Sequence, residues 1–186
     1  MKRIATPYTH QAQIIHWLMA TIFILTWLLG FYSFNFVSYD DRPVLKVLAI
    51  DLHKNIATTV FFLLCLRVLW RYTHPAPALP EEMPAHLKKI SHAVHIVLYM
   101  LLLLVPLSGC FYSSVTGHPL PILYLTELSL FAREIPALEP VAEYSHITLT
   151  FFAGALVALH IAAALKHHFI DKDEVLLQMI AGKKES

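Results

Sequence analysis

The sequence predicts an all-α integral membrane protein whose four helices cross the bilayer as a bundle. Of its 186 residues, 57% are hydrophobic and 15% are charged, whereas soluble domains average about 25% charged residues. Four apolar stretches are each long enough to span the bilayer core, which takes about 20 helical residues. We place these helices approximately at residues 14–36, 46–70, 90–112 and 144–168, within one domain that covers residues 1–186.

The second predicted helix is the least apolar of the four. It contains Asp51, His53, Lys54 and Arg67, so a soluble amphipathic helix is the alternative. Its charges lie towards the two ends, on either side of the apolar residues 56–66, and this pattern favours a membrane span.

The connections between the helices are irregular. A proline-rich segment at residues 72–89 separates the second helix from the third, because proline at this density prevents a continuous helix. The longest loop follows the third helix at residues 113–143. Within it we expect residues 121–132 to form a short helix on the membrane surface.

The distribution of lysine and arginine predicts the orientation. Cytoplasmic loops carry an excess of these residues. Ten of them lie on the side of the two termini and the proline-rich segment, namely Lys2, Arg3, Arg67, Arg71, Lys88, Lys89, Lys166, Lys172, Lys183 and Lys184. The opposite side has four, namely Arg42, Lys46, Lys54 and Arg133. Both termini are therefore predicted to be cytoplasmic, and "inner" and "outer" below follow this orientation.

Histidines interrupt the apolar helices at matching depths. His146 and His160 are 14 residues apart in the fourth helix, so they share nearly one face and differ by about 21 Å of helical rise. His16 opens the first helix on the inner side, and His53 lies early in the second helix on the outer side. The depths give an inner pair, His16 with His160, and an outer pair, His53 with His146. A histidine within a membrane span is costly and usually marks a functional site.

Each histidine pair has the composition of a bis-imidazole haem site. A b-type haem needs two axial protein ligands and can fill the core of a bundle, whereas zinc would need three or four closely packed ligands. Two alternatives are open for the inner side. His92 or His95 of the third helix could replace a member of the inner pair. A single membrane histidine can also form only a hydrogen bond between helices.

The motifs IIHW, DLHKNIA, SHITLTF and ALHIAAALKHHFIDKDEVL resemble those of the prokaryotic cytochrome b561 family over nearly the whole chain. The resemblance implies a small four-helix, multi-pass cytochrome of the bacterial inner membrane that encloses two b-type haems. It also aligns His16, His53, His146 and His160 with the haem ligands, in agreement with the depth argument.

Charged residues near each pair suggest further roles. Lys54, with Arg42 and Lys46 nearby, could pair with haem propionates or attract an anionic donor, unless these cations only extend to the membrane surface. Lys166, His167 and His168 follow the inner ligand by one to two turns. They could donate a hydrogen bond and protons to ubiquinone, or bind lipid headgroups. Of the two histidines, His167 lies on nearly the same face as His160.

The sequence thus favours electron transfer between a donor on the periplasmic side and the membrane ubiquinone pool. Superoxide, a quinol and a periplasmic redox protein are all possible donors. One alternative is a haem b subunit that anchors a larger dehydrogenase or hydrogenase, and another is a histidine-lined metal or proton transporter without haem. The net charge of +1 gives no indication of nucleic-acid binding, and membrane lipid is the expected environment.

Overall fold

Four long helices dominate the computed structural model, which describes residues 7–180. They are α1 (His10–Phe36), α2 (Pro43–Thr73), α3 (Ala85–Val115) and α4 (Glu139–Lys166). All four are long and apolar enough to cross a membrane. The terminal cations Lys2, Arg3, Lys183 and Lys184, on which the orientation partly depends, lie outside the described residues.

The helices extend beyond the apolar stretches that predict them. The Thr9 hydroxyl accepts a hydrogen bond from the Ala12 amide and so caps α1 before its apolar stretch begins. Proline stands in the first turn of both α2 and α4, where its missing N–H is not needed. Pro106 lies within α3, which continues to Val115. Polar helix ends carry no hydrophobic pattern, which is why the sequence underestimates their length.

Side chains spaced by seven residues meet in layers along the antiparallel helices. Phe23, Val60, Leu101 and Ala153 are buried together in the middle layer of the bundle. Three of them stand seven residues from a histidine of the inner or outer pair on the same helix. An apolar layer therefore separates the two levels at which the histidines lie.

The long loop forms a β-hairpin, so the expectation of a surface helix at residues 121–132 is wrong. Strand β1 (Leu120–Ile122) pairs with the antiparallel strand β2 (Thr126–Leu128). Leu123 and Tyr124 turn the chain with φ of 52° and 57°, a left-handed pair that hairpins usually assign to Asn-Gly. The buried Asn55 accepts a hydrogen bond of 3.1 Å from the Tyr124 amide, which fixes the hairpin to α2.

The last described residues fold back over the start of α1. After α4 comes a π-helical turn (His167–Asp171) and then a short helix α5 (Leu177–Ile180). The Gln178 carbonyl accepts hydrogen bonds from the Tyr8 amide at 3.1 Å and from Gln13 Nε2 at 3.0 Å. The Met179 carbonyl accepts one of 2.9 Å from Trp17 Nε1. The chain end is thereby attached beside the helix that carries His16.

Candidate haem-binding sites

The structure brings together both histidine pairs that the sequence predicts. The ring centroids of His16 and His160 are 6.4 Å apart with an interplanar angle of 74°, and those of His53 and His146 have the same two values. Two imidazoles on opposite sides of one metal, with bonds of about 2.0–2.1 Å to nitrogen, have ring centres about 6.2–6.4 Å apart. Each pair therefore has the separation of two axial ligands of one iron.

Hydrogen bonds orient both rings of the outer pair. His53 Nδ1 lies 3.0 Å from the Thr26 carbonyl oxygen, which can only accept. His146 Nδ1 lies 3.0 Å from Ser108 Oγ. The Ser108 hydroxyl donates to the Val105 carbonyl at 2.8 Å, so its oxygen accepts from His146. With the proton on Nδ1, Nε2 of each ring carries the lone pair that a metal needs.

Two glycines give the outer rings their space. A Cβ atom on Gly30 would lie 2.8 Å from Cε1 of His53, and one on Gly109 would lie 3.0 Å from Cε1 of His146. The first distance is shorter than real Cβ contacts, so any side chain there would displace the ring. Helices α1 and α3 thus form a close-fitting cradle for the histidines of α2 and α4.

Polar groups near the outer pair suit a cofactor with an acidic edge. The hydroxyls of Thr26 and Ser33 are buried and have no hydrogen-bond partner within residues 7–180. The Lys46 ammonium donates to the Ser33 carbonyl at 2.5 Å. An unpaired buried hydroxyl is unfavourable unless a ligand pairs with it. Two imidazoles at this separation, a close-fitting cradle and buried polar groups would fit a haem with its propionates.

At the inner pair a third histidine, His95, is the alternative to His16 as the partner of His160. Its ring centroid is 5.3 Å from that of His160, at an angle of 85°, and its Nδ1 lies 2.6 Å from the Ser91 carbonyl oxygen. This centroid separation is shorter than a pair on opposite sides of one metal requires, whereas His16 has the required value. The other alternative, His92, is exposed on α3.

Comparison with known proteins assigns the family. Residues 8–182 match the family model described as prokaryotic cytochrome b561. The chain belongs to this family. It is 34% identical to cytochrome b561 homolog 2 of Escherichia coli (strain K12) over 172 residues, which cover 92% of this chain and 89% of the relative.

Two further relatives extend the comparison. Cytochrome b561 homolog 1 of Escherichia coli (strain K12) is 28% identical over 134 residues, covering 72% of this chain and 76% of the relative. A protein of Yersinia pestis named probable superoxide oxidase CybB is 25% identical over 181 residues, covering 91% and 93%. The matches confirm the resemblance and the multi-pass inner-membrane location. This cytochrome b561 family member is therefore a membrane electron-transfer protein of a family that binds b-type haem.

The three predicted outer cations of this cytochrome b561 family member lie at different points around the outer end. Lys54 is half-buried beside His53 and Asp51, with which its charge interacts. Lys46 Nζ lies 5.8 Å from the centre of the Tyr39 ring as well as on the Ser33 carbonyl. Arg42 is exposed just before α2. Lys46 and Lys54 therefore place two positive charges on the helix that carries His53.

Two aspartates that the sequence analysis did not identify contact the predicted quinone-site residues Lys166 and His167. His167 Nδ1 lies 2.6 Å from Asp173 Oδ2 and 3.2 Å from Asp171 Oδ2. The Lys166 ammonium instead pairs with Asp171 at 2.6 Å, and its side chain is 53% exposed. His168 is half-buried, with its ring centroid 4.7 Å from that of Phe169. The π-helical turn brings these aspartates back to His167, and no residue spacing in the sequence indicates such a turn.

Proposed function

We propose that this protein transfers electrons from a periplasmic-side donor to the membrane ubiquinone pool through two b-type haems. The outer pair, His53 and His146, would hold one haem, and the inner pair, His16 and His160, the other. The observation that carries the proposal is the equal centroid separation of 6.4 Å in both pairs. A b-type haem supplies a one-electron couple between ferric and ferrous iron.

The bundle between the two pairs supports a path across the membrane. His146 and His160 lie about 21 Å apart along one helix. The layer of Phe23, Val60, Leu101 and Ala153 fills the middle of the bundle with apolar side chains. Such an apolar layer is unfavourable for ions, which is consistent with a path that carries electrons. We further propose that both termini are cytoplasmic, on the lysine and arginine distribution.

Superoxide is the donor that we propose. A relative of similar length is named a probable superoxide oxidase. Lys46 and Lys54, on the same helix as His53, and Arg42 just before it place positive charge where a small anion could approach the outer pair. The electrons balance if two superoxide anions each lose one electron and become dioxygen. One ubiquinone then takes the two electrons with two protons and becomes ubiquinol.

His167 is the group that we propose to donate to the quinone. Asp173 accepts the hydrogen bond from its Nδ1–H at 2.6 Å, which leaves Nε2 to face the quinone. The Asp173 carboxylate fixes the orientation of the ring, so His167 Nε2 could pass a proton to a quinone oxygen. His168 would pass protons from the cytoplasmic water, and Lys166 would complete the site and hold its turn through Asp171.

Stopped-flow absorption on the purified protein tests this function. Superoxide should reduce the b-type α and Soret bands rapidly, and a short-chain ubiquinone should re-oxidise them. A colourless protein would favour the transporter without haem. A haem spectrum that superoxide and quinone leave unchanged, with a hydrophilic subunit required for reduction, would favour the anchor of a larger complex. Either result would overturn the proposal.

A further inference from the structure

A cavity of about 330 Å³ opens at the inner end of the bundle, between the start of α1, the end of α2 and the segment after it. Aromatic and cationic side chains line it together, namely Tyr8, Arg67, Trp70, Arg71 and Tyr99. Neither arginine has a part in the function proposed so far.

Arg67 lies in the last third of α2, and its hydrogen-bond partners among residues 7–180 are neutral. Its Nε donates to the Tyr99 hydroxyl at 3.1 Å, and its Nη1 donates to the Ala12 carbonyl at 3.2 Å. The ion pairs found among residues 7–180 include no carboxylate on Arg67 or Arg71. A partly buried guanidinium is costly unless an anion accompanies it.

Arg71 stands one turn beyond Arg67 and lines the same cavity. Its guanidinium carbon lies 5.6 Å from the centre of the Tyr8 ring, which places it over an aromatic face. Trp70 Nε1 donates to the Thr9 hydroxyl at 3.0 Å and so holds the end of α2 against the start of α1. The two guanidinium groups are therefore directed to one space by neighbouring contacts.

This cavity adjoins the inner histidine pair. The charge of Arg67 interacts with both His16 and His160. Arg67 and Arg71 both interact with His95, which lies against His160. A cofactor held by the inner pair therefore has beside it two cations for which residues 7–180 provide no carboxylate partner.

We propose that Arg67 and Arg71 bind the propionate carboxylates of the inner haem. The proposal rests on the proposed function, because it takes the inner pair as haem ligands. Guanidinium groups suit this role because their planar donors match two carboxylate oxygens at once. Their positive charge also favours the reduced haem, which has one positive charge fewer, and so raises the potential of the inner haem.

The test is a spectroelectrochemical titration of the purified, haem-loaded protein and its Arg67→Gln, Arg71→Gln and Arg67→Lys variants. The inner haem is identified as the component that His16→Ala lacks. Arg67→Gln should retain two haems and lower the inner potential by about 59 mV, which is a tenfold fall in the one-electron reduction constant. The outer potential should not move, and Arg67→Lys should restore most of the inner potential. Lys89→Gln, an exposed cation on the same side, is the matched control and should change neither.

Three outcomes would overturn the proposal. One is an inner potential that stays unchanged in Arg71→Gln and in a folded Arg67→Gln protein. Another is an equal shift in Lys89→Gln, which would indicate only general surface charge. The third is a shift in Arg67→Gln that appears only when phosphatidylglycerol is added to delipidated protein, because the ligand would then be a lipid phosphate.

The variants also separate this proposal from the proposed function. If His16→Ala kept both haems, the ligand assignment itself would fail. If His16→Ala lost one haem and the arginine variants kept the inner potential, only the propionate proposal would fail. Should Arg67→Gln not fold, Arg71→Gln alone decides, because its side chain lies at the exposed end of α2.

Discussion

The outer and inner histidine pairs share one geometry but have different surroundings. Both have centroids 6.4 Å apart at 74°. Neutral groups hold the outer rings, namely the Thr26 carbonyl, the Ser108 hydroxyl and the close backbones of Gly30 and Gly109. The inner rings lie near the charge of Arg67 and the third ring of His95. The equal separation of the imidazole rings suits the same cofactor at both sites. The different surroundings would give the two bound cofactors different reduction potentials.

This difference gives the proposed electron transfer a direction. The cations beside the inner histidines, Arg67 and Arg71, have no carboxylate partner among residues 7–180, whereas the charge of Lys54 beside His53 interacts with Asp51. This greater positive charge favours reduction at the inner pair. Electrons that enter at the outer end would therefore move to lower free energy at the inner end. Substitutions at either the outer or the inner pair can therefore test this difference separately.

Removal of a ligand should have the largest effect, and it should divide the four histidines into two groups. His53→Ala and His146→Ala should lose the outer haem, and His16→Ala and His160→Ala the inner haem, because one imidazole alone cannot keep iron six-coordinate. Reduced-minus-oxidised spectra of the purified variants measure this. Loss of a haem in His95→Ala, with both haems kept in His160→Ala, would show that the inner pair is assigned wrongly.

The close contact of Gly30 with His53 predicts that a larger residue at position 30 reduces the content of the outer haem alone. In Gly30→Ala the new Cβ would meet His53 Cε1 at 2.8 Å, and the displaced ring should lower the outer haem content several-fold while the inner haem stays. Haem content per chain and a potentiometric titration check this. Gly154→Ala is the matched comparison, because its Cβ would meet Trp27 at 2.6 Å instead of a histidine. Equal loss of outer haem in both variants would mean general destabilisation.

The proposed quinone site predicts a kinetic effect without a spectral one. Asp173→Asn removes the carboxylate that orients the His167 ring, so re-oxidation by ubiquinone should slow by about tenfold or more. His167→Ala should do the same, with both haem spectra intact. Asp171→Asn is the comparison. It breaks the exposed pair with Lys166, which is worth about 0–1 kcal/mol, and only the longer contact of 3.2 Å with His167, so it should slow re-oxidation less than Asp173→Asn does. Normal quinone kinetics in a His167→Ala/His168→Ala protein would place the site elsewhere.

The outer cations should have the smallest effect. Neutralising Arg42, Lys46 and Lys54 together should slow reduction by superoxide several-fold and weaken its dependence on ionic strength, because charge steering is screened over about 8–10 Å. Stopped-flow rates across a salt series measure both changes. Arg133→Gln, in the exposed outer loop, is the control. A triple variant with the normal rate and salt dependence would limit these residues to contacts with the membrane surface.

The sequence predicts the membrane spans and the histidine pairs because both depend on the positions of residues along a helix. Fourteen residues between His146 and His160 fix their common face, and membrane depth selects their partners. Depth alone could not separate His16 from His95, which requires the packing of helices against each other. Gly30 and Arg67 continue the same seven-residue spacing. Their importance appears only when His53 and His16 are brought beside them.

The remaining features depend on backbone conformations that the sequence does not signal. The hairpin turns through two left-handed residues, Leu123 and Tyr124, without the usual Asn-Gly. The contact between His167 and Asp173 forms because a π-helical turn ends α4. Regular helical spacing cannot predict that contact.

The most direct test of the central claim is the number of haems per chain and their potentials. A pyridine haemochrome assay on the purified protein should give two b-type haems per chain. A potentiometric titration should then resolve two one-electron components, with the higher potential belonging to the haem that His16→Ala removes. A single haem per chain, or two haems of which the outer one has the higher potential, would contradict the account.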